Sequence, residues 1–120
     1  MTYEQIFEKS KQIIMEKETD GLPGHLAVQI NITGEGSGAF YIELKDGKVY
    51  VEPYEYYDRD CVLIASAEDF LKICEGTLDS VAAFTIGKLK IEGSIDKALE
   101  FKKIVDSVKP KAKAKAKAKK

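Results

Sequence analysis

The sequence predicts an α+β domain in which a single sheet carries helices on one face, in the order α-β-β-β-β-α-α-β-α. Three observations predict it. The apolar period changes from about 3.6 residues to about 2 near Leu26, and returns to the helical period after Ser66. An Asp46-Gly47 pair separates two alternating runs and reads as a tight hairpin turn. Side chains suited to helix starts, at Thr2, Ser66 and Ser94, each precede an apolar-periodic stretch.

Taken in order, Thr2-x-x-Gln5 is a capping box, followed by Tyr3, Ile6, Phe7, Ser10, Ile13 and Ile14 on one helical face. Asp20-Gly21-Leu22-Pro23-Gly24 ends that helix. Leu26, Val28, Ile30 and Ile32 alternate with Ala27, Gln29, Asn31 and Thr33 as a first strand. The loop Gly34–Gly38 leads into a second strand with Phe40, Ile42 and Leu44 inward, and Lys48–Glu52 is the third. Pro53–Asp60 reads as a loop. Cys61–Ala65 is apolar without alternation, as suits a strand buried on both faces. Ser66 caps a helix carrying Phe70, Leu71 and Cys74, and Gly76 stops it. The next helix, read as Leu78–Ile86 with Thr77 as its cap, is apolar nearly all round and so is expected to be enclosed. Lys88–Glu92 alternates with Leu89 and Ile91 inward, and Ser94 opens a last helix with Ala98, Phe101, Val105 and Val108 inside.

The chain has 120 residues, one domain's worth, and 44% of them are hydrophobic. Its formal charge of −1 conceals a division, because six of the lysines fall between Lys111 and Lys120. The preceding residues hold 13 basic against 20 acidic side chains, an acidic body with a basic tail. Such a body lacks the broad basic face that duplex nucleic acid requires, so no specific nucleic-acid partner is expected. The acidic start MTYEQIFEKS is not a signal peptide, no run is long enough to cross a bilayer as a helix, and a cytoplasmic setting is expected. Cys61 and Cys74 fit reduced, semi-buried packing positions. Residues 1–109 form the expected domain, and the Lys-Ala repeat from 110 to 120 an expected disordered tail.

The stretch SAEDFLKICEGTLDSVAAFTIGKLKIEGSIDKAL, from Ser66 to Leu99, resembles the C-terminal half of domains of the sterol carrier protein 2 family. The shared pattern is a capped helix, a Gly, a Leu-Asp pair, an Ala-rich turn, and Gly-Lys-Leu-Lys-Ile-x-Gly leading into a helix with Ala-Leu. The resemblance extends over about residues 1–108. It implies a five-stranded, mainly antiparallel sheet with helices on one face, and a hydrophobic tunnel between the layers. It also implies an intracellular carrier of sterol, fatty acid, fatty acyl-CoA or phospholipid, with no catalytic residues and no cofactor. The Ser94 position is commonly Asp in the family, and the chain ends in Ala-Lys-Lys rather than a Ser-Lys-Leu type of address.

Other constellations carry less. The glycines at 34–38 sit between two strands, whereas a dinucleotide fingerprint needs a strand and a helix. Gly87-Lys88 departs from a phosphate-binding loop at Ala82 and Leu89. Glu52, Glu55, Asp58 and Asp60 match no calcium-loop spacing, so no metal is expected. His25 lacks an adjacent nucleophile or orienting acid in the sequence, and an enzyme working through Cys61, Cys74 or His25 is the least favoured reading. Phe40, Ile42, Val49, Val51, Phe70, Val81, Phe84, Phe101 and Val105 fall on the inward stripes. These residue types either fill a solid core or line a cavity. The resemblance makes them the expected tunnel lining, with Tyr54, Tyr56 and Tyr57 either a portal or plain loop packing. The alternative function is an accessory interaction module with the same fold and a filled core. The partners expected are an apolar or lipid ligand and an anionic membrane touched transiently through Lys111–Lys120.

Overall fold

The computed structural model describes residues 1–16 and 24–106. The expected breaker at 20–23, Val108, and the expected domain end and tail lie outside the described residues. Helix α1 spans Tyr3–Met15, and its start is the capping box: Thr2 Oγ1 accepts the Gln5 N–H while Gln5 Oε1 accepts the Thr2 N–H. Strands β1 (His25–Thr33), β2 (Gly38–Lys45), β3 (Lys48–Glu52) and β4 (Cys61–Ser66) follow. Then come α2 (Ala67–Glu75), α3 (Ser80–Thr85), β5 (Lys90–Gly93) and α4 (Ile95–Asp106). The element order is the one the sequence predicts.

The sheet runs β3-β2-β1-β4-β5. Three pairs are antiparallel and β1–β4 is parallel, so the sheet is mixed. The register sets two inward rows of side chains: Val51, Ile42, Val28 and Cys61, and beside it Phe40, Ile30, Leu63 and Ile91. Helices α1, α2 and α4 cover these rows. Under α1 the core is solid. Phe7, Phe40 and Phe70 meet edge to face at 5.5 and 5.8 Å, a favoured aromatic geometry. The glycine loop serves this packing. A Cβ on Gly36, at φ +73°, would stand 2.8 Å from the Met1 carbonyl oxygen and 2.4 Å from Ile6 Cδ1, so the start of α1 settles there over a residue without a side chain.

Because β3 and β4 lie on opposite sides of the β1–β2 pair and helices fill one face, residues 53–60 cross the other. Tyr56 anchors the crossing. Its N–H donates to Gln29 Oε1 at 3.2 Å, its hydroxyl donates to Glu43 Oε2 at 2.9 Å, and its ring meets Tyr41 edge-on at 4.8 Å. Asp60 ends the crossing, exchanging hydrogen bonds with Ala27 through its own N–H and its carboxylate, both at 2.7 Å. Its carbonyl accepts the Ser94 N–H at 3.0 Å, fixing the start of α4.

Two elements differ from expectation. Helix α3 starts later, because the Asp79 carboxylate takes the Ala82 N–H while the Thr77 hydroxyl is spent on the Lys72 carbonyl. It is also not enclosed: Ala83 is its buried residue, and Val81 and Phe84 are 47% and 48% exposed. Strand β5 starts at Lys90, with Leu89 already buried before it.

Gly93 sits at φ +91°, where an added Cβ would stand 2.8 Å from the Asp60 carbonyl oxygen. Gly93→Ala should therefore destabilise the protein by roughly 2 kcal/mol or more. Gly24→Ala, at a similar φ in open space, is the control; equal losses in urea denaturation would show that the Asp60 contact is immaterial. A second expectation concerns Glu43. Burial works to raise its pKa, but hydrogen bonds from His25, at 2.5 Å, and from Tyr56 outweigh it and hold the carboxyl below its ordinary 4.5. The carboxylate thus adds stability above that value and loses it as pH falls through the folded pKa. Glu43→Gln should cost about 1–2 kcal/mol at neutral pH. In thermal melts the gap from the native chain should close on acidification below pH 4.5; a constant gap would contradict this linkage.

Candidate functional site

At the β4–β5 end of the sheet the layers separate and leave a cavity of about 150 Å³. Its floor is Leu63 and Ile91, neighbours across the β4–β5 ladder. Phe70 and Ile73 of α2 close one side, and Ala98, Phe101 and Val105 of α4 another. Leu89 and α3, through Val81 and Phe84, form the remaining wall. The void follows from local geometry. Helix α3 has six residues and one buried side chain, so it spans the gap without filling it. Ala98, the small residue in the inner stripe of α4, leaves space where a larger side chain would reach the sheet.

The opening has an apolar rim. Val81, Phe84, Ile95 and Leu99 line the cavity while each is about half exposed, and Ile86 beside them is 63% exposed. Two side chains of the lining can hydrogen-bond, Ser80 and Lys102. The Lys102 ammonium pairs with Asp106 one turn on, and lies 3.6 Å from Asp79 Oδ1 across the gap between α4 and α3. Hydrogen bonding to Asp106, helped by Asp79, holds Lys102 above the usual lysine pKa, so it stays charged. The cavity is built to remove apolar surface from water, with one cation at its mouth.

Of the expected lining, Phe70, Val81, Phe84, Phe101 and Val105 meet around this cavity. Phe40, Ile42 and Val51 are fully buried in the solid half of the core, and Val49 packs half-buried against it. The strand order is the reason, since β2 and β3 lie at the far edge of the sheet from β5. Tyr54, Tyr56 and Tyr57 lie on the crossing segment over the opposite face and do not border the opening. Tyr56 holds that segment down, and Tyr57 is 94% exposed. Leu63, Ile73, Leu89, Ile91, Ile95, Ala98, Leu99, Ser80 and Lys102 join the lining without having been expected there. Ile95, Leu99 and Lys102, at helical spacing beside the inner stripe, were the available signal. Ile95 and Leu99 widen the apolar face of α4 beyond what packing on a sheet requires, and Lys102 sets a charge at its edge.

The remaining candidates are accounted for structurally. His25 pairs with Glu43 on the open face. Among the described residues no cluster of three or more His, Cys, Asp or Glu could hold a metal ion. Cys61 and Cys74 are buried and lie outside any disulfide. Burial, with Asp60 adjacent, pushes the Cys61 thiol up to about 11, which keeps it protonated near neutral pH.

Comparison with known proteins finds relatives in sequence and in fold. The chain is 34% identical over 86 residues to hydroxysteroid dehydrogenase-like protein 2 of Bos taurus, covering 69% of this chain and 20% of that protein's length. The crystal structure of sterol carrier protein 2 like 2 from Aedes aegypti superposes with a TM-score of 0.63 at 26% identity, covering 84% of this chain and 94% of that one. The solution structure of that protein in palmitated form gives a TM-score of 0.59 at 25% identity, with 88% and 96% covered. The model of the SCP-2 sterol transfer family matches residues 4–106, nearly all of the described fold. The chain belongs to the SCP-2 sterol transfer family.

Proposed function

We propose that this chain is a non-catalytic lipid carrier, holding an acyl chain in the cavity between β4–β5 and helices α2, α3 and α4. The observation that carries the reading is an apolar void bounded by a helix whose apolar face is left half open. A dry apolar cavity of about the same volume binds benzene in another protein, so this closed form holds a fragment of roughly six carbons. A longer chain enters as α3 moves outward, and that displacement breaks few buried contacts because Ala83 is the helix's one buried residue. Each methylene transferred contributes about 0.8 kcal/mol before immobilisation costs. A flexible chain can thread the opening by segments, whereas a rigid ring system needs the whole void at once. Acyl lipids therefore rank ahead of sterols.

Palmitate in the related Aedes aegypti protein supports an acyl ligand. The bovine relative's name speaks of a dehydrogenase-like protein of which this chain spans 20%, and the carrier role is proposed for the matched portion alone. An accessory module with a filled core fits less well, because the core is not filled. The proposal sets the carrier in the cytoplasm, where its two buried thiols stay reduced.

The sequence has no tryptophan, which makes a reporter available. Phe84→Trp should place a single indole at the cavity rim, and saturation with palmitate should shift its emission to the blue at one ligand per chain. Tyr57→Trp, on the opposite face, should show no shift. A shift at Tyr57 and none at Phe84 would move the site to the open face. Ala98→Phe, which fills the void, should lower affinity by about tenfold or more.

Transient contact with an anionic membrane belongs to the same proposal. The six lysines between Lys111 and Lys120 would each contribute about 1 kcal/mol near an anionic surface, and the apolar rim would meet the bilayer where the ligand enters. The full chain should co-sediment with phosphatidylserine-containing vesicles at low salt and release at high salt. A chain truncated after Val108 should bind measurably less, and equal sedimentation of the two would remove the tail from the proposal.

A further inference from the structure

The cavity's polar lining is spare enough to be read for ligand chemistry. Lys102 is its one charged side chain, and it stands at the mouth, 27% exposed, on the helix that carries Ile95, Leu99 and Val105 into the same space. Its two acidic partners are not equivalent. Asp106 lies one helical turn away on α4 and is hydrogen-bonded to the ammonium. Asp79 lies across the opening at the start of α3, at 3.6 Å, beyond hydrogen-bonding distance. Asp79 also has other employment: its Oδ2 caps α3 by accepting the Ala82 N–H at 2.9 Å, and its side chain is 54% exposed. Separation from Lys102 therefore leaves the cap of α3 intact and returns Oδ1 to water.

We infer that Lys102 selects lipids with a carboxylate head, by exchanging its contact with Asp79 for one with the ligand's own carboxylate as the cavity opens. The inference rests on the carrier reading and adds the ligand's polar end to it. An incoming acid takes the place of one anion with another, so Lys102 keeps two negative partners throughout and no charge is left unpaired in the lining. The exchange also releases the contact that ties α3 to α4 across the opening. Those two helices carry the rim residues Val81 and Phe84 on one side and Ile95 and Leu99 on the other. A neutral head gives Lys102 no reason to leave Asp79. A carboxylate held by its buried chain forms a charge-assisted hydrogen bond in a setting sheltered by apolar side chains, where such bonds are strongest. Ser80, the other polar residue of the lining, stands next to Asp79 at the first position of α3, close to where that head would come to rest.

Calorimetric titration of dodecanoic acid and of dodecanol, at a pH where the acid is ionised, tests this with matched chains. The native chain should bind the acid about tenfold or more tightly than the alcohol. Lys102→Met should abolish that preference while still binding dodecanol, and the retained alcohol binding shows that the variant is folded. Lys102→Arg should keep the preference. Asp79→Asn, which preserves a capping oxygen but removes the competing charge, should tighten acid binding a few-fold. Equal affinities in the native chain, or a preference that survives Lys102→Met, would overturn the assignment of Lys102 while the carrier reading stands. If neither amphiphile binds the native chain, the carrier reading fails and this inference with it.

Discussion

The parallel pairing of β1 with β4 is the constraint from which most of the molecule follows. It inserts a strand beside β1 that is not its neighbour in sequence, so the chain must travel from the β3 edge to the far side of β1. The helical layer occupies one face and forces the route over the other. That route needs anchors, which explains a buried Gln29 on the face away from the helices: its amide holds the Tyr56 backbone and the Asn31 side chain. Asp60 then extends the β1–β4 pairing by one residue and, through Ser94, sets where the last helix begins. One side chain and its backbone thus tie the central strand to the helix that walls the cavity.

The same order divides the core into two parts of different character. Beneath α1, Phe7 meets Phe40 edge to face among fully buried side chains of β1 and β2. At the β4–β5 end, a short edge strand, a six-residue helix and the small Ala98 leave the layers incompletely filled. Phe70 belongs to both, touching Phe40 on one side and the cavity on the other. Leaving Val81, Phe84, Ile86, Ile95 and Leu99 half exposed forgoes hydrophobic stabilisation that a closed core would keep. A protein whose task is uptake and release can tolerate that loss, because the other half of the core maintains the fold.

The residues most legible in advance were those whose role is local. The capping box at Thr2, the Asp46-Gly47 turn, Ser66, Gly76 and Ser94 each act through neighbours a few residues away, and each does what its chemistry suggests. The inward rows of β1 and β2 were legible too, since a strand's period determines which side chains share a face. The limits of α3 were not, because Thr77 and Asp79 both offer capping oxygens and only the position of the Lys72 carbonyl diverts Thr77. The tyrosines of the crossing segment illustrate the same limit. Amphipathic rings beside a loop suit a cavity mouth and an open sheet face equally well.

The sequence by itself determined the elements, their order, the side of each but α3 that turns inward, and the family pattern between Ser66 and Leu99. Tertiary structure alone decided which inward residues share a void. Phe40 and Phe70 are both large, aromatic and fully buried, yet one is locked in solid packing and the other borders empty space. The difference lies in strand order and in how far helices stand from the sheet, which depend on contacts between residues distant in the chain. Hydrophobic periodicity records that a side chain leaves water; it carries no record of whether another atom waits to meet it.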